Sequence, residues 1–241
     1  MFIYQPTSGY CYNSDSIFLY SFISKYKIKG SLLDVGCGVG VISLLLSRDF
    51  DIDTTIIDKQ EIMLEYAKHN YSINSLKADS YLGDFVEWDT HKRFDYIISN
   101  PPFYDERVKQ SENQHLNIAR YANHLPIEDL VARVKRLLKP KGYFILCYDA
   151  KQIDVLLYHL RSFGITVERI EFVYSKIDRD SKLVMIASRN NSKSMTQIVP
   201  PLIVFDEDNS YTTRAREAFI RADTHSIKGD FKKEEYRDWS I

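Results

Sequence analysis

One pattern constrains the fold of this chain more than any other. From about Ser31 to Asn190, short apolar, β-branched runs alternate with amphipathic stretches of helical length, the signature of a parallel sheet with helices on both faces. Residues 32–35 read as a first strand that ends in Gly36-Cys37-Gly38-Val39-Gly40, and residues 41–50 then read as a helix. Residues 53–57 form a second strand ending at Asp58, with a helix over 61–73. A weaker third strand, 77–82, leads to Gly83-Asp84, and a fourth, 94–99, runs directly into Asn100-Pro101-Pro102-Phe103. Pro126 opens a helix whose first turn carries Glu128 and Asp129 and which stops at 139–142. A fifth strand, 143–148, follows, then a helix over 151–163 closed by Gly164. Residues 166–174 set Ile170, Phe172 and Tyr174 opposite Arg169 and Glu171, as in a half-exposed edge strand. Residues 183–187 are apolar throughout, as in a strand buried on both faces. The turn-rich link 178–181 makes this pair a hairpin whose final strand inserts inward.

At 241 residues, 44% hydrophobic and 27% charged, the chain suits one large α/β domain or two small ones, and no second domain boundary is evident. No apolar run approaches the roughly 20 residues of a membrane span. The start, residues 1–6, lacks the basic and apolar regions of a secretory signal. Three cysteines without paired spacing suggest a reducing compartment and neither a disulfide framework nor a zinc site. The expectation is a cytoplasmic monomer without metal or membrane attachment. A net charge of −1 gives no vote for a nucleic-acid partner, although a local basic patch suffices for one.

The glycine loop carries the first chemical signal. It follows a strand and opens a helix, so its glycines let a ligand approach the backbone while the helix N-terminus offers free N–H groups. A nicotinamide dehydrogenase also has a glycine-rich turn there, with an acidic residue about 20 positions on, as Asp58 is here. The spacing differs, however: Gly-x-Gly-x-Gly is not Gly-x-Gly-x-x-Gly. Asp34, just before the glycines, also suits a cationic ligand better than a pyrophosphate. S-adenosylmethionine carries an ammonium group and no phosphate. Asp58 can accept hydrogen bonds from both ribose hydroxyls. Asp84 can accept one from the adenine amine, or can cap a helix starting at Phe85. Cys37 sits between glycines where a small side chain fits, which outweighs a nucleophilic role. The cofactor set read here is Asp34, Gly36, Cys37, Gly38, Gly40, Asp58, Lys59, Asp84, Phe85 and Asn100.

The sharper signal is Asn100-Pro101-Pro102-Phe103. Ligands of open α/β sheets bind beyond the strand carboxyl ends, so this loop faces the glycine loop across the cofactor. An exocyclic amine or a carboxamide is a poor nucleophile because its lone pair is delocalised. The Asn100 side-chain oxygen and the Pro101 carbonyl can both accept hydrogen bonds from such an NH₂ and aim its lone pair at the methyl group. The two prolines fix the acceptors in advance, and Phe103 can stack on the flat acceptor. No general base of near-neutral pKa is required. The bland alternative is a rigid turn closing a strand.

These two motifs together resemble the class I amino-methyltransferases that modify an exocyclic NH₂. The opening Gln5-Pro-Thr-Ser-Gly9-Tyr10, then Asn13-Ser14-Asp15-Ser16-Ile17-Phe18-Leu19, narrows the resemblance. It is to the bacterial tRNA1(Val) (adenine(37)-N6)-methyltransferases. The segment 201–206 with Tyr211-Thr212 is similar to that family's C-terminal strand and turn, so the resemblance runs from about residue 4 to residue 219. It implies the Rossmann-like class I methyltransferase fold: a mostly parallel seven-stranded sheet ending in an antiparallel hairpin. It also implies S-adenosylmethionine as cofactor and tRNA as partner, with methylation at adenosine N6. Residues 5–15 would lid the cofactor, within an N-terminal segment 1–30 ahead of a catalytic domain 31–221. Residues 222–241, outside the match, read as a surface helix or tail. Tyr104, where a His would lean toward a ribosomal RNA guanine-N2 enzyme, lowers that alternative.

For the acceptor side, Phe103, Tyr104, Arg107, Lys109 and Arg120 should rim the site, with Tyr10 and Tyr12, beside Tyr4, placed to stack on bases. The tyrosines can equally be core packing. The densest basic run, Arg133, Lys135, Arg136, Lys139 and Lys141, falls at strand amino ends, which favours solvated surface over RNA contact. Competing functions are a protein-glutamine N5-methyltransferase, a ribosomal RNA guanine-N2 methyltransferase, a silent cofactor-binding scaffold and a nicotinamide oxidoreductase.

Overall fold

In the computed structural model, which describes residues 1–7, 11–101 and 125–231, the alternation becomes a central sheet of nine strands among those residues. In chain order the elements are β1 (Phe2–Gln5), α1 (Ser14–Ile23), β2 (Gly30–Val35), α2 (Val41–Asp49), β3 (Ile52–Asp58), α3 (Glu61–Ile73) and β4 (Asp79–Leu82). Then follow β5 (Phe94–Ser99), α4 (Ile127–Leu137), β6 (Leu138–Asp149), α5 (Ile153–Ser162), β7 (Ile165–Tyr174) and β8 (Ser181–Asn190). The last are β9 (Gln197–Ile198), β10 (Leu202–Ile203), α6 (Thr213–Ala222) and β11 (His225–Lys228).

The sheet order is β10-β7-β8-β6-β5-β2-β3-β4, with β9 also on β7. From β2 the chain builds outward through β3 and β4, then returns to lay β5 on the other side of β2. The reversal opens a crevice at the carboxyl ends of β2 and β5, where open α/β sheets bind ligands. All pairs from β4 to β6 are parallel, while β8 runs antiparallel between β6 and β7.

Strand alternation explains the layers. In β2, Leu32 packs into a core with α1, α2, α3 and α6, whereas Leu33 and Val35 face a second core with α4 and α5. Each such fully buried Leu or Val contributes about 1.5–3 kcal/mol relative to exposure. In α4 the buried Leu130, Val131, Val134 and Leu137 follow helical spacing.

Several expectations change. β7 is not an edge strand: β9 and β10 cover its free side. Glu171 keeps the face opposite Ile170 and Phe172, but that face is covered as well: the residue is 3% exposed and held by Lys25 Nζ at 2.7 Å and by Arg214. The two short strands take the sheet beyond seven. β6 begins at Leu138, ahead of the expected Tyr143, with Lys141 in the left-handed region at φ 64°. Residues 225–228 are neither helix nor tail. They form β11, which pairs in parallel with β1 from Phe2↔His225 to Gln5↔Lys228. β1 needs a partner for its backbone N–H and C=O groups, and β11 supplies it.

Candidate functional site

Strand register brings the polar motifs together. Val35 pairs with both Ile57 and Ser99, so Gly36, Asp58 and Asn100 leave three neighbouring strands at one level. Asp58 pairs with Leu82, and Gly83 N–H donates to the Asp58 carbonyl at 3.0 Å. Ser99 Oγ donates to the Val35 carbonyl at 2.9 Å and is wholly buried, fixing the spacing between the glycine loop and Asn100.

The loop glycines have positive φ: 67° at Gly36, 56° at Gly38 and 80° at Gly40. They serve two purposes. A Cβ on Gly40 would lie 3.1 Å from Ala67 Cβ, so that glycine lets α2 pack against α3. A Cβ on Gly36 or Gly38 would meet nothing within 4 Å, so the backbone there borders open space that a side chain would fill. Gly36 and Cys37 N–H groups both donate to the Ile57 carbonyl, at 2.9 and 3.2 Å, binding the loop to β3.

Asp58 is held in place from both sides. Its Oδ2 accepts from Gly38 N–H and its Oδ1 from Gln60 N–H, both at 2.8 Å. Burial raises its pKa, opposed by those two N–H groups and by the charge of exposed Lys59. Asp34, on the α2 side, is 2% exposed. Desolvation pushes its pKa up to about 7, with the Asp58 charge adding to the rise and hydrogen bonds from Ser43 opposing it. Among the described residues, four buried side-chain polar atoms have no partner, and two are in these motifs: Asp34 Oδ2 and Asn100 Oδ1. Buried acceptors are normally satisfied, so two orphans beside one crevice point to a ligand that donates hydrogen bonds. Pro101, next to Asn100, is buried.

The remaining residues sort as follows. Asp84 Oδ1 accepts from Val86 N–H at 2.8 Å, and residues 85–87 form a turn, not the helix that a cap would need. Phe85 is buried in the α4–α5 core. The Cys37 thiol is pushed well above its ordinary value by burial and by the nearby Asp58 and Asp34, which disfavours a thiolate nucleophile. Tyr12 is half-buried, with its N–H donating to Gln5 Oε1 at 2.9 Å and its hydroxyl 3.3 Å from Thr224 Oγ1. Tyr4 sets its ring edge-on to His69. Tyr10, Pro102, Phe103, Tyr104, Arg107, Lys109 and Arg120 lie outside the described residues.

The basic run is spoken for at the far end of the sheet. Lys139 Nζ pairs with Asp95 at 2.7 Å, near the amino end of β5. Lys135 donates to Gly164 O and Asn190 Oδ1, and Arg133 to Trp88 O, while Arg136 and Lys141 are exposed. Sequence reasoning missed Ser43, Ser99 and Asn70. A lone Ser or Asn inside an apolar run carries no periodic signal of its partner. No group of His, Cys, Asp or Glu suited to a metal occurs among the described residues, and no described helix is long and apolar enough to cross a membrane.

With this geometry in place, comparison with known proteins is decisive at the family level. The model of the methyltransferase small domain matches residues 13–155, more than half of the chain. The chain belongs to the methyltransferase small domain family. Two relatives named tRNA1(Val) (adenine(37)-N6)-methyltransferase are each 27% identical. The one from Phocaeicola vulgatus aligns over 65% of this chain and 68% of its own, and that from Christiangramia forsetii over 85% and 87%. The ribosomal RNA small subunit methyltransferase C of Haemophilus influenzae is 44% identical over 80 residues, covering 33% of this chain and 24% of that protein. Among solved structures, a predicted O-methyltransferase from Agrobacterium tumefaciens superposes with a TM-score of 0.69 at 13% identity, over 89% of this chain and all of that one. An S-adenosylmethionine-dependent methyltransferase from Clostridium acetobutylicum gives 0.55 at 14%, over 76% and 93%. At these identities the structures speak to the fold, which is the class I methyltransferase fold. Family and fold make S-adenosylmethionine the cofactor of this methyltransferase small-domain protein.

Proposed function

We propose that this protein transfers a methyl group from S-adenosylmethionine to N6 of an adenosine in tRNA, with the nucleotide just 3′ of the anticodon as its target. The observation that carries the reading is the orphaned, buried Oδ1 of Asn100 at the carboxyl end of β5, beside the glycine loop. It is an acceptor in want of an N–H donor, and an exocyclic amine is one. Similarity to the relatives named tRNA1(Val) (adenine(37)-N6)-methyltransferase over most of the chain supports the same acceptor.

When bound, S-adenosylmethionine supplies an electrophilic methyl group on a sulfonium. The residues present fit it: Gly36 and Gly38 border cleared space, and Asp34 offers an unused acceptor suited to an ammonium group. Asp58, its carboxylate fixed by Gly38 and Gln60, would accept from ribose hydroxyls, and Asp84 from an adenine amine. On the acceptor side, Asn100 Oδ1 and the Pro101 carbonyl would hold the NH₂ so that its lone pair faces the cofactor. The amine proton is lost to solvent once the nitrogen is alkylated, so the scheme needs no histidine. Phe103, with Arg107, Lys109 and Arg120, completes the proposal as stacking and phosphate contacts. An anticodon loop suits such a site because an unpaired base costs less to extrude than a paired one.

The experiment compares unmodified tRNA, ribosomal RNA and a release-factor-like protein as acceptors with labelled cofactor, followed by digestion of the product. Label in tRNA as N6-methyladenosine supports the reading. Label only as N2-methylguanosine in ribosomal RNA would favour the activity suggested by the local 44% match, and label only as methylglutamine a protein substrate.

A further inference from the structure

The N-terminal strand β1 is held along both edges by unlike partners. One edge pairs with β11. The other faces α3, which presents two asparagines one turn apart. Asn74 Oδ1 accepts from Phe2 N–H at 3.1 Å while its Nδ2 donates to Phe2 O at 2.7 Å. Asn70 repeats the arrangement, with Oδ1 accepting from Tyr4 N–H at 2.7 Å and Nδ2 donating to Tyr4 O at 3.0 Å. A carboxamide has the donor and acceptor of a peptide group, so the two side chains act as a substitute strand edge. The dimensions agree: four residues of helix rise about 6 Å, and two residues of strand about 6.6 Å.

Asn70 does one thing that Asn74 does not. Its second Nδ2 hydrogen goes to the carbonyl of Val39, inside the glycine loop, at 2.9 Å, and the residue is 0% exposed. Val39 lies between Gly38, whose N–H fixes Asp58, and Gly40, which admits α2 against α3. One buried carboxamide therefore joins the glycine loop to β1.

We propose that Asn70 is a positioning residue for cofactor binding, setting the glycine loop and the entry to the N-terminal segment in mutual register. The inference rests on the reading of the glycine loop as the cofactor site. Asn74 provides the internal control, because it holds the same strand without touching the loop.

The test measures S-adenosylhomocysteine affinity by calorimetry, the KM for S-adenosylmethionine and kcat at saturating cofactor, and thermal stability. The proteins are wild type, Asn70→Ser, Asn74→Ser and Asp58→Ala. Asn70→Ser is expected to weaken S-adenosylhomocysteine and raise KM about tenfold, the effect of losing one ordinary net hydrogen bond. It should leave kcat within about twofold, since the lost bond reaches the loop and not the acceptor. Asn74→Ser should lose some stability, less than Asn70→Ser, while its KM stays within about twofold, because none of its bonds reaches the glycine loop. If Asn70→Ser is too unstable to purify, the isosteric Asn70→Asp takes its place. Its affinity should fall as pH rises, when the carboxylate can no longer donate to Val39 O. Equal KM changes in the Asn70 and Asn74 variants, or a wild-type KM in the former, would overturn the inference. Loss of binding in Asp58→Ala alongside unchanged Asn70 variants overturns the Asn70 role alone. Failure of the wild type to bind S-adenosylhomocysteine overturns the cofactor reading and this inference with it.

Discussion

Asp34 and Asp58 are buried carboxylates at adjacent strand ends, and desolvation raises the pKa of both. For Asp34 burial pushes the value up to about 7 from its ordinary 3.8. The folded protein without cofactor thus holds a proton there that the unfolded chain has released. Between about pH 4 and 7 the native state binds more protons, so this residue's contribution to stability declines as pH rises. A ligand ammonium over Asp34 Oδ2 reverses the preference and drives the proton off. S-adenosylhomocysteine affinity should therefore increase as pH rises through about 7, with proton release visible in calorimetry across buffers of different ionisation heat. Asp34→Asn should flatten that dependence; an unchanged profile in Asp34→Asn would exclude Asp34 as the partner. Asp58→Ala should cost roughly 1.5–3 kcal/mol of cofactor binding, as expected for hydrogen bonds to a charged group. A thermal-shift titration checks it, and NAD should give no shift. The positions of these carboxylates were legible in the sequence because each stands at the carboxyl end of a readable strand. Asn70 was not, because its meaning lies in partners 31 and 66 residues away.

At the scale of elements, the glycine loop and the hairpin show what pattern can and cannot carry. Gly36, Gly38 and Gly40 look equivalent in sequence, and the structure separates them by what a Cβ would meet. Gly40→Ala should lower the melting temperature, since a left-handed alanine costs roughly 1–2 kcal/mol and here also presses on Ala67. At this chain length each kcal/mol corresponds to about 2–4 °C. Gly38→Ala carries only the backbone cost, yet its methyl would enter the space left for the cofactor. It should lose at least about tenfold in S-adenosylhomocysteine affinity, about 1.4 kcal/mol. Equal affinity losses in the two variants would contradict this division. The parallel strands were readable because burial on both faces leaves long apolar runs. β7 was misread because both its faces are packed, and a buried glutamate is invisible until Lys25 and Arg214 are found beside it. β11 was missed for a related reason: three of the four residues in His225-Ser-Ile-Lys228 are polar, and only its pairing with β1 makes it a strand.

Over the whole molecule, the N-terminal strand meets residues 223–228. Met1 donates its terminal amine to Asp223 O at 2.7 Å, and Tyr20, Asp49, Arg48 and Arg221 form a polar cluster joining α1, α2 and α6. Residues beyond the family match at 155 thus complete the scaffold for those within it. Removing residues 223–241 should leave β1 without a backbone partner and lower stability, read by thermal unfolding; an unchanged melting temperature would show that β11 is dispensable. The central claim, however, concerns what Asn100 does for the acceptor amine. It is tested most directly by nucleoside mass spectrometry of unmodified tRNA treated with wild type or Asn100→Ala at saturating S-adenosylmethionine. The account predicts N6-methyladenosine from the wild type, and a rate roughly 10²–10³-fold lower from the variant with cofactor affinity within a few fold. N6-methyladenosine formed by Asn100→Ala at the wild-type rate, or none formed by the wild type, would contradict it.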